Sequence, residues 1–391
     1  MPLPLYLLAL AVFAMGTSEF MLAGLVPDIA TSLDVSVAAA GLLTSAFAAG
    51  MIVGAPLMAA LARRWPARAA LLGFVLTFAA AHVIGALTTS FTVLLGTRVI
   101  AALANAGFLA VALSTAATLV AADQKGRALA VLLSGTTVAT IAGVPGGAVL
   151  GTVLGWRATF WAIALLCLPA AVGVVKGIPS AAAGKDAPAG PSLRDEIAQL
   201  AAPGLVLVML LGALVNAATF ATFTFLAPIV TDTAGLGDLW IPVVLVLFGA
   251  GSFVGVTLAG RLSDQRSGLV IAVGGPLLLL GWVAMGALAT QPAMLLLLTF
   301  AQGALSFAVG GTLIARVLYA AAGAPTMGGS YATAALNIGA AGGPIVAAAT
   351  LGTGAGDLGP VWVSSLLVGV ALLIALPLRR FLAPRVGQPI R

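Results

Sequence analysis

Two charged side chains lie where the surrounding sequence offers them no water. Glu19 sits in Met15-Gly-Thr-Ser-Glu-Phe-Met21 and Arg98 in Leu95-Gly-Thr-Arg-Val-Ile100, each inside a long apolar run. A carboxylate held beside a fixed cation in such surroundings has the chemistry of proton uptake and release. Burial works against its ionised form and the cation works for it, which leaves Glu19 able to gain and lose a proton. Other chemistry is missing. The single cysteine, Cys167, and the single histidine, His82, exclude an internal disulfide, a cysteine cluster and a histidine-pair metal site. A lone histidine among Ala and Val reads as a structural hydrogen-bonder ahead of a proton relay. No Gly-x-x-x-x-Gly-Lys-Ser/Thr run cradles ATP phosphates, and no His-Glu-x-x-His or second intramembrane acid offers hydrolysis. The expectation is a protein that is not an enzyme, with no cofactor and no metal.

The elements that must position these groups follow from composition. Of 391 residues 61% are hydrophobic and 7% charged, with a mean hydropathy of +1.18. A soluble domain is about a quarter charged, so the chain is read as an all-α membrane protein, long enough for about a dozen spans of ~20 apolar residues. Apolar runs broken by turns and charges place these at 5–27, 37–61, 69–88, 91–120, 129–151, 159–176, 204–230, 241–260, 269–289, 292–315, 327–351 and 361–382. No Lys or Arg precedes Arg63, so the first run is expected to remain as a helix rather than be cleaved as a signal. At ~1.5 Å per residue, Glu19 and Arg98 both lie about 10 to 12 Å below one surface, where they can meet.

With twelve spans, every Lys and Arg outside them except Arg157 falls on one side, from Arg63 to the tail residue Arg391. Asp28, Asp34, Asp232, Asp238 and Asp357 fall on the other. The positive-inside rule then makes both termini cytoplasmic. The net charge of +6 is too small and dispersed for nucleic acid. The Arg-, Ala- and Gly-rich composition points to a high-G+C bacterial genome.

An offset of about 201 residues aligns the chain with itself. Leu25-Val-Pro27 falls on Leu226-Ala-Pro228, and the stripe Met15, Ser18, Glu19 and Leu22 falls on Asn216, Thr219, Phe220 and Phe223. The expected organisation is a six-helix half over 1–178, a cytoplasmic connector over 179–202 read as a tether without a site of its own, and a second six-helix half over 203–391. Two six-helix halves related by duplication resemble the major facilitator architecture, in which pseudo-symmetric halves rock about a central site.

That resemblance gives further residues a place. In such proteins the first, fourth, seventh and tenth helices line the cavity, which implies substrate contacts from Asn105, Asn216 and Gln302, together with Met15 and an aromatic wall of Phe20, Phe220 and Phe223. The run around Gly143-Val-Pro145-Gly-Gly147 allows close helix packing and resembles the glycine-proline motif of antiporters in this superfamily. The loop signature Gly-x-Leu-x-Asp-Arg is similar to Gly260-Arg-Leu262-Ser-Asp264-Gln-Arg266, so Arg261 and Asp264 are gate candidates. Its first copy, Ala59-Ala-Leu61-Ala-Arg63-Arg64, lacks the acid.

Six blocks narrow the resemblance: Gly16-Thr-Ser-Glu-Phe20, Gly41-Leu-Leu-Thr-Ser-Ala-Phe47, Ala104-Asn-Ala-Gly-Phe-Leu-Ala110, Gly126-Arg-Ala-Leu129, Gly155-Trp-Arg-Ala-Thr-Phe-Trp161 and Gly323-Ala-Pro-Thr-Met-Gly-Gly-Ser-Tyr331. As a set they resemble the chloramphenicol-exporting drug:proton antiporters. The family implies a monomer in the bacterial inner membrane that expels a small drug in exchange for protons and so gives antibiotic resistance. Arg98 would hold deprotonated Glu19. Broader relatives export sugars or nucleosides, the alternative substrate classes.

Overall fold

The structure, a computed structural model, describes residues 1–61, 65–121, 124–179, 193–324 and 327–376, apart from the side chains at 59, 60, 126, 193 and 260–267. Among these, twelve helices are long and apolar enough to cross a bilayer. They are α1 Leu3–Gly24, α2 Val37–Met58, α3 Ala67–Leu87, α4 Phe91–Thr118, α5 Arg127–Leu154, α6 Trp156–Gly177, α7 Pro203–Thr224, α8 Trp240–Ala259, α9 Gly268–Leu288, α10 Pro292–Ala320, α11 Gly328–Leu351 and α12 Gly356–Ala375. The described residues contain no strand.

Proline explains where α1 and α7 end. Both α1 and α7 stop short of the expected 27 and 230, because Pro27 and Pro228 donate no N–H and their rings crowd the carbonyls four residues back, at Ala23 and Thr224. The chain restarts after each, as Val26–Ser32 and Leu226–Pro228, with the proline in the first turn. In α5 the helix widens to a π turn at Ala139–Gly143 immediately ahead of Pro145, a local change that relieves the missing bond.

Where a loop was expected between the eighth and ninth spans, backbone helix is continuous over Trp240–Leu288. Gly251 and Gly255 press on Phe300 and Ala304 of α10, whereas Gly274 and Gly281 press on Val309 and Gln302 of the same helix. In a straight helix positions 251 and 281 would stand ~45 Å apart, so the chain doubles back between Gly255 and Gly274. Arg261 and Asp264 lie on that reversal, with their side chains outside the described residues.

Buried side chains gather in two main clusters. One is built mostly from residues between Leu5 and Ile178 and the other mostly from residues between Leu205 and Ala371. They are joined across α2 and α11, where Ser45 Oγ donates to the Ala341 carbonyl at 2.8 Å and Ser330 Oγ to the Ala55 carbonyl at 3.5 Å. They also meet across α5 and α8, where Gly249 rests on the Thr140 carbonyl. Small residues permit this because helices in lipid associate through close packing rather than through the hydrophobic effect.

The described end of the connector is docked rather than loose. Glu196, in the short helix Leu193–Ala198, is 1% exposed. Its Oε2 accepts the Met327 N–H at 2.7 Å, capping the start of α11. Tyr331 donates to the Glu196 carbonyl at 2.8 Å.

Candidate functional site

The C-terminal part of α1 runs as α-helix to Phe20 and tightens to 3₁₀ over Met21–Gly24. Glu19 and Phe20 keep accessible surface there, while residues 14–18 and 21–26 are buried. Glu19 makes no hydrogen bond and no ion pair among the described residues. Arg98 is within electrostatic reach of it but grips its neighbour: Nη1 donates to Ser18 Oγ and Nη2 to the Ser18 carbonyl, both at 2.7 Å. The tightening of the helix is the kind of change that opens last-turn carbonyls to outside donors. The guanidinium lies 4.5 Å from the Phe47 ring centroid, a cation–π contact in dry surroundings.

His82 completes the cluster. Nε2 stands 2.7 Å from Ser18 Oγ and Nδ1 2.8 Å from the Phe78 carbonyl. The histidine is thus tied to the same serine as the arginine, a link that spacing alone did not reveal because Ser18 resembles any small intramembrane hydroxyl.

Beside the acid runs a ladder of rings. Phe20 lies 5.7 Å from Phe220 and 6.4 Å from Phe223, Phe223 lies 4.7 Å from Phe248, and Phe248 lies 6.1 Å from Phe307. Phe20, Phe220 and Phe223 are brought together as one wall. Phe248 and Phe307 extend it and were not among the expected residues. The duplication carried a signal for Phe248, which falls 201 positions after Phe47, the ring under Arg98.

Of the expected polar contacts, two bond neighbouring helices and the third lies beside the ladder. Asn105 donates to Met51 Sδ at 3.6 Å and Asn216 to the Leu336 carbonyl at 2.7 Å, both of them helix-to-helix bonds. Gln302 donates to the Leu278 carbonyl at 3.1 Å and borders, with Phe223, Phe248 and Trp282, a cavity of about 10 Å³. That is room for roughly one water. Met15 is packed in the first apolar cluster. Gly143 lies against Thr17 of α1, Gly147 has Thr159 of α6 beside it, and Pro145 opens the helical turn between them. The described residues hold no group of three or more His, Cys, Asp or Glu able to bind a metal.

Comparison with known proteins gives consistent matches. Residues 8–344 match the model of the Major Facilitator Superfamily. The chain is 73% identical over 379 residues to a chloramphenicol resistance protein of Streptomyces lividans, covering 97% of each chain. It is 32% identical over 371 residues to the inner membrane transport protein YdhP of Escherichia coli K12, covering 95% of this chain and 94% of that one. A bacterial homologue of the human lysosomal transporter Spinster, solved inward-facing and unoccupied, superposes with a TM-score of 0.77 at 18% identity, covering 99% of this chain and 98% of that one. The nucleoside transporter NupG, solved as a point mutant, gives 0.73 at 14%, covering 98% and 100%. These two likenesses concern the fold.

Proposed function

Because this chain belongs to the Major Facilitator Superfamily, a family of transporters, we propose that it exports chloramphenicol and related small drugs in exchange for protons, and so confers resistance. The observation that carries the coupling is an acid with open surface deep in the bundle, one residue from a ring that contacts rings of the other half. A nitrophenyl drug presents an aromatic face and hydroxyl groups. The Phe20, Phe220 and Phe223 wall suits the former, and the similarity to a chloramphenicol resistance protein favours this substrate over sugars or nucleosides.

Transport proceeds by alternating access. The halves 1–178 and 203–391 rock about the central site, with 179–202 joining them on the cytoplasmic side together with both termini. The drug enters from the cytoplasm, and a proton from outside reaches Glu19 and drives release and reset. Arg98 compensates the deprotonated acid, Arg261 and Asp264 serve the cytoplasmic gate, and the run around Gly143, Pro145 and Gly147 lets α5 move against α1. The working unit is a single chain in the bacterial inner membrane.

Two measurements test this. In cells expressing the protein, labelled chloramphenicol should accumulate less than in control cells, and a protonophore should abolish the difference; greater accumulation would mark an importer instead. In inverted vesicles, Glu19→Gln should reduce gradient-driven uptake to that of protein-free vesicles. Full activity in that variant removes Glu19 from coupling.

A further inference from the structure

His82 has no part in the transport scheme above, yet it closes a continuous hydrogen-bond chain in which Ser18, His82 and Arg98 are all at most 1% exposed. Its Nδ1 faces the Phe78 carbonyl. A carbonyl only accepts, so Nδ1 carries the hydrogen. A second hydrogen on Nε2 would set another positive charge beside the buried guanidinium, at a steep desolvation cost. Nε2 is therefore the acceptor, and the Ser18 hydroxyl donates to it. With that hydrogen committed, Ser18 Oγ turns lone pairs toward Arg98 Nη1, and the Ser18 carbonyl takes Nη2. The imidazole has little freedom to turn, since the Phe78 ring lies 4.3 Å and the Phe160 ring 5.6 Å from it, centroid to centroid.

We propose that His82 is a positioning residue of the coupling site: it fixes the direction of the Ser18 hydroxyl, and Ser18 thereby anchors Arg98 beside Glu19 but off its carboxylate. The proposal rests on the reading of Glu19 as the coupling acid. The charged and titratable groups facing this cluster are Glu19 from α1 and Arg98 from α4. The side of α6 presents Phe160, with Arg157 held nearer the surface by Ser32 and Thr88 and Cys167 about two turns further along. From α2 comes the Phe47 ring. If the histidine acceptor is lost, the serine hydroxyl rotates freely, Arg98 redistributes between Ser18 and Glu19, and proton exchange at the acid proceeds against a different local charge.

The test is drug uptake into inverted vesicles at a fixed gradient, from about pH 5 to about pH 9, for the wild type, S18A, H82F and H82Q. Phe at 82 keeps the ring packing and has no acceptor, whereas Gln offers an oxygen close to the Nε2 position. H82F and S18A should displace the pH dependence in the same sense by about one unit, the scale of one hydrogen bond. The S18A/H82F double variant should move it no further than either single change, and H82Q should overlay the wild type. An unchanged profile in H82F and S18A overturns the proposal, as does additive displacement in the double variant or a displacement in H82Q equal to that in H82F. Should H82F fail to fold, H82L, smaller and equally without an acceptor, takes its place, and a profile displaced in S18A but unmoved in H82L overturns the proposal. Glu19→Gln separates the two readings: active E19Q defeats the coupling role itself, whereas inactive E19Q with an unmoved H82F profile defeats only the positioning role.

Discussion

Arg98 has five N–H donors and little to give them to. Two go to Ser18, the face of the guanidinium goes to Phe47, and Nε is left without a partner. The arrangement depends on a planar fork. Lysine would carry the same charge as a point and reach one oxygen of Ser18, without stacking. Arg98→Lys should therefore lose one charge-assisted bond, about 1.5–3 kcal/mol, seen as a lower midpoint of thermal denaturation in detergent, and uptake should fall about tenfold or more. An unshifted midpoint with normal uptake would show that charge alone matters at this position. Both charges were legible in the sequence because charge is scarce there. Their partner was not. That Arg98 takes the hydroxyl and carbonyl of residue 18 rather than the carboxylate of residue 19 is decided by how α1 and α4 face each other, which leaves no mark in residue types. The same limit explains Asn105 and Asn216: a polar residue in a span is visible, but whether it meets a ligand or an acceptor on a neighbouring helix is decided by helix rotation.

At the level of elements, apolar length fixed the number of helices, and proline fixed where they depart from regular form. The reversal between α8 and α9 reads as a loop in the sequence because glycine and charge punctuate it there. Glycines are read best through what stands against them. At Gly143 a methyl group would collide with Thr17 Oγ1, so the residue sets how closely α5 and α1 approach. Gly143→Ala should overpack this contact and destabilise the protein by about 1–3 kcal/mol, and Thr17→Ala, which removes the opposing oxygen, should restore much of the loss. The check is a double-mutant cycle on denaturation midpoints with uptake measured in parallel. Additive losses would place the strain elsewhere.

Across the whole molecule, the proposed duplication would make two similar bundles with different contents. Position 19 is an acid in the first and its counterpart 220 a phenylalanine in the second, so in the proposed scheme titration would belong to one half, while aromatic surface comes from both. In the proposed alternating-access scheme, movement of one against the other would also register at the ends assigned to the outside, where Gly24 meets Leu245 and Gly41 meets Phe225. Two like charges face each other there. Asp28 lies within reach of Asp238, and partial burial followed by that repulsion raises its pKa above the usual carboxylate range. The sign follows directly. An acid whose pKa is higher with the outer ends together than apart binds a proton more readily in the closed arrangement, so closure is favoured as pH falls through that raised value and opposed as pH rises above it. Asp28 is exposed and the effect is correspondingly modest. Spin labels at Thr31 and Leu239, on opposite halves, should report shorter distances as the pH is lowered. Asp28→Asn should hold the short distance at neutral pH and flatten the response. Asp238→Asn should do the same, since either change removes one member of the repelling pair. A pH response of wild-type size in both variants would assign the movement to another group, with Glu19 the next to substitute.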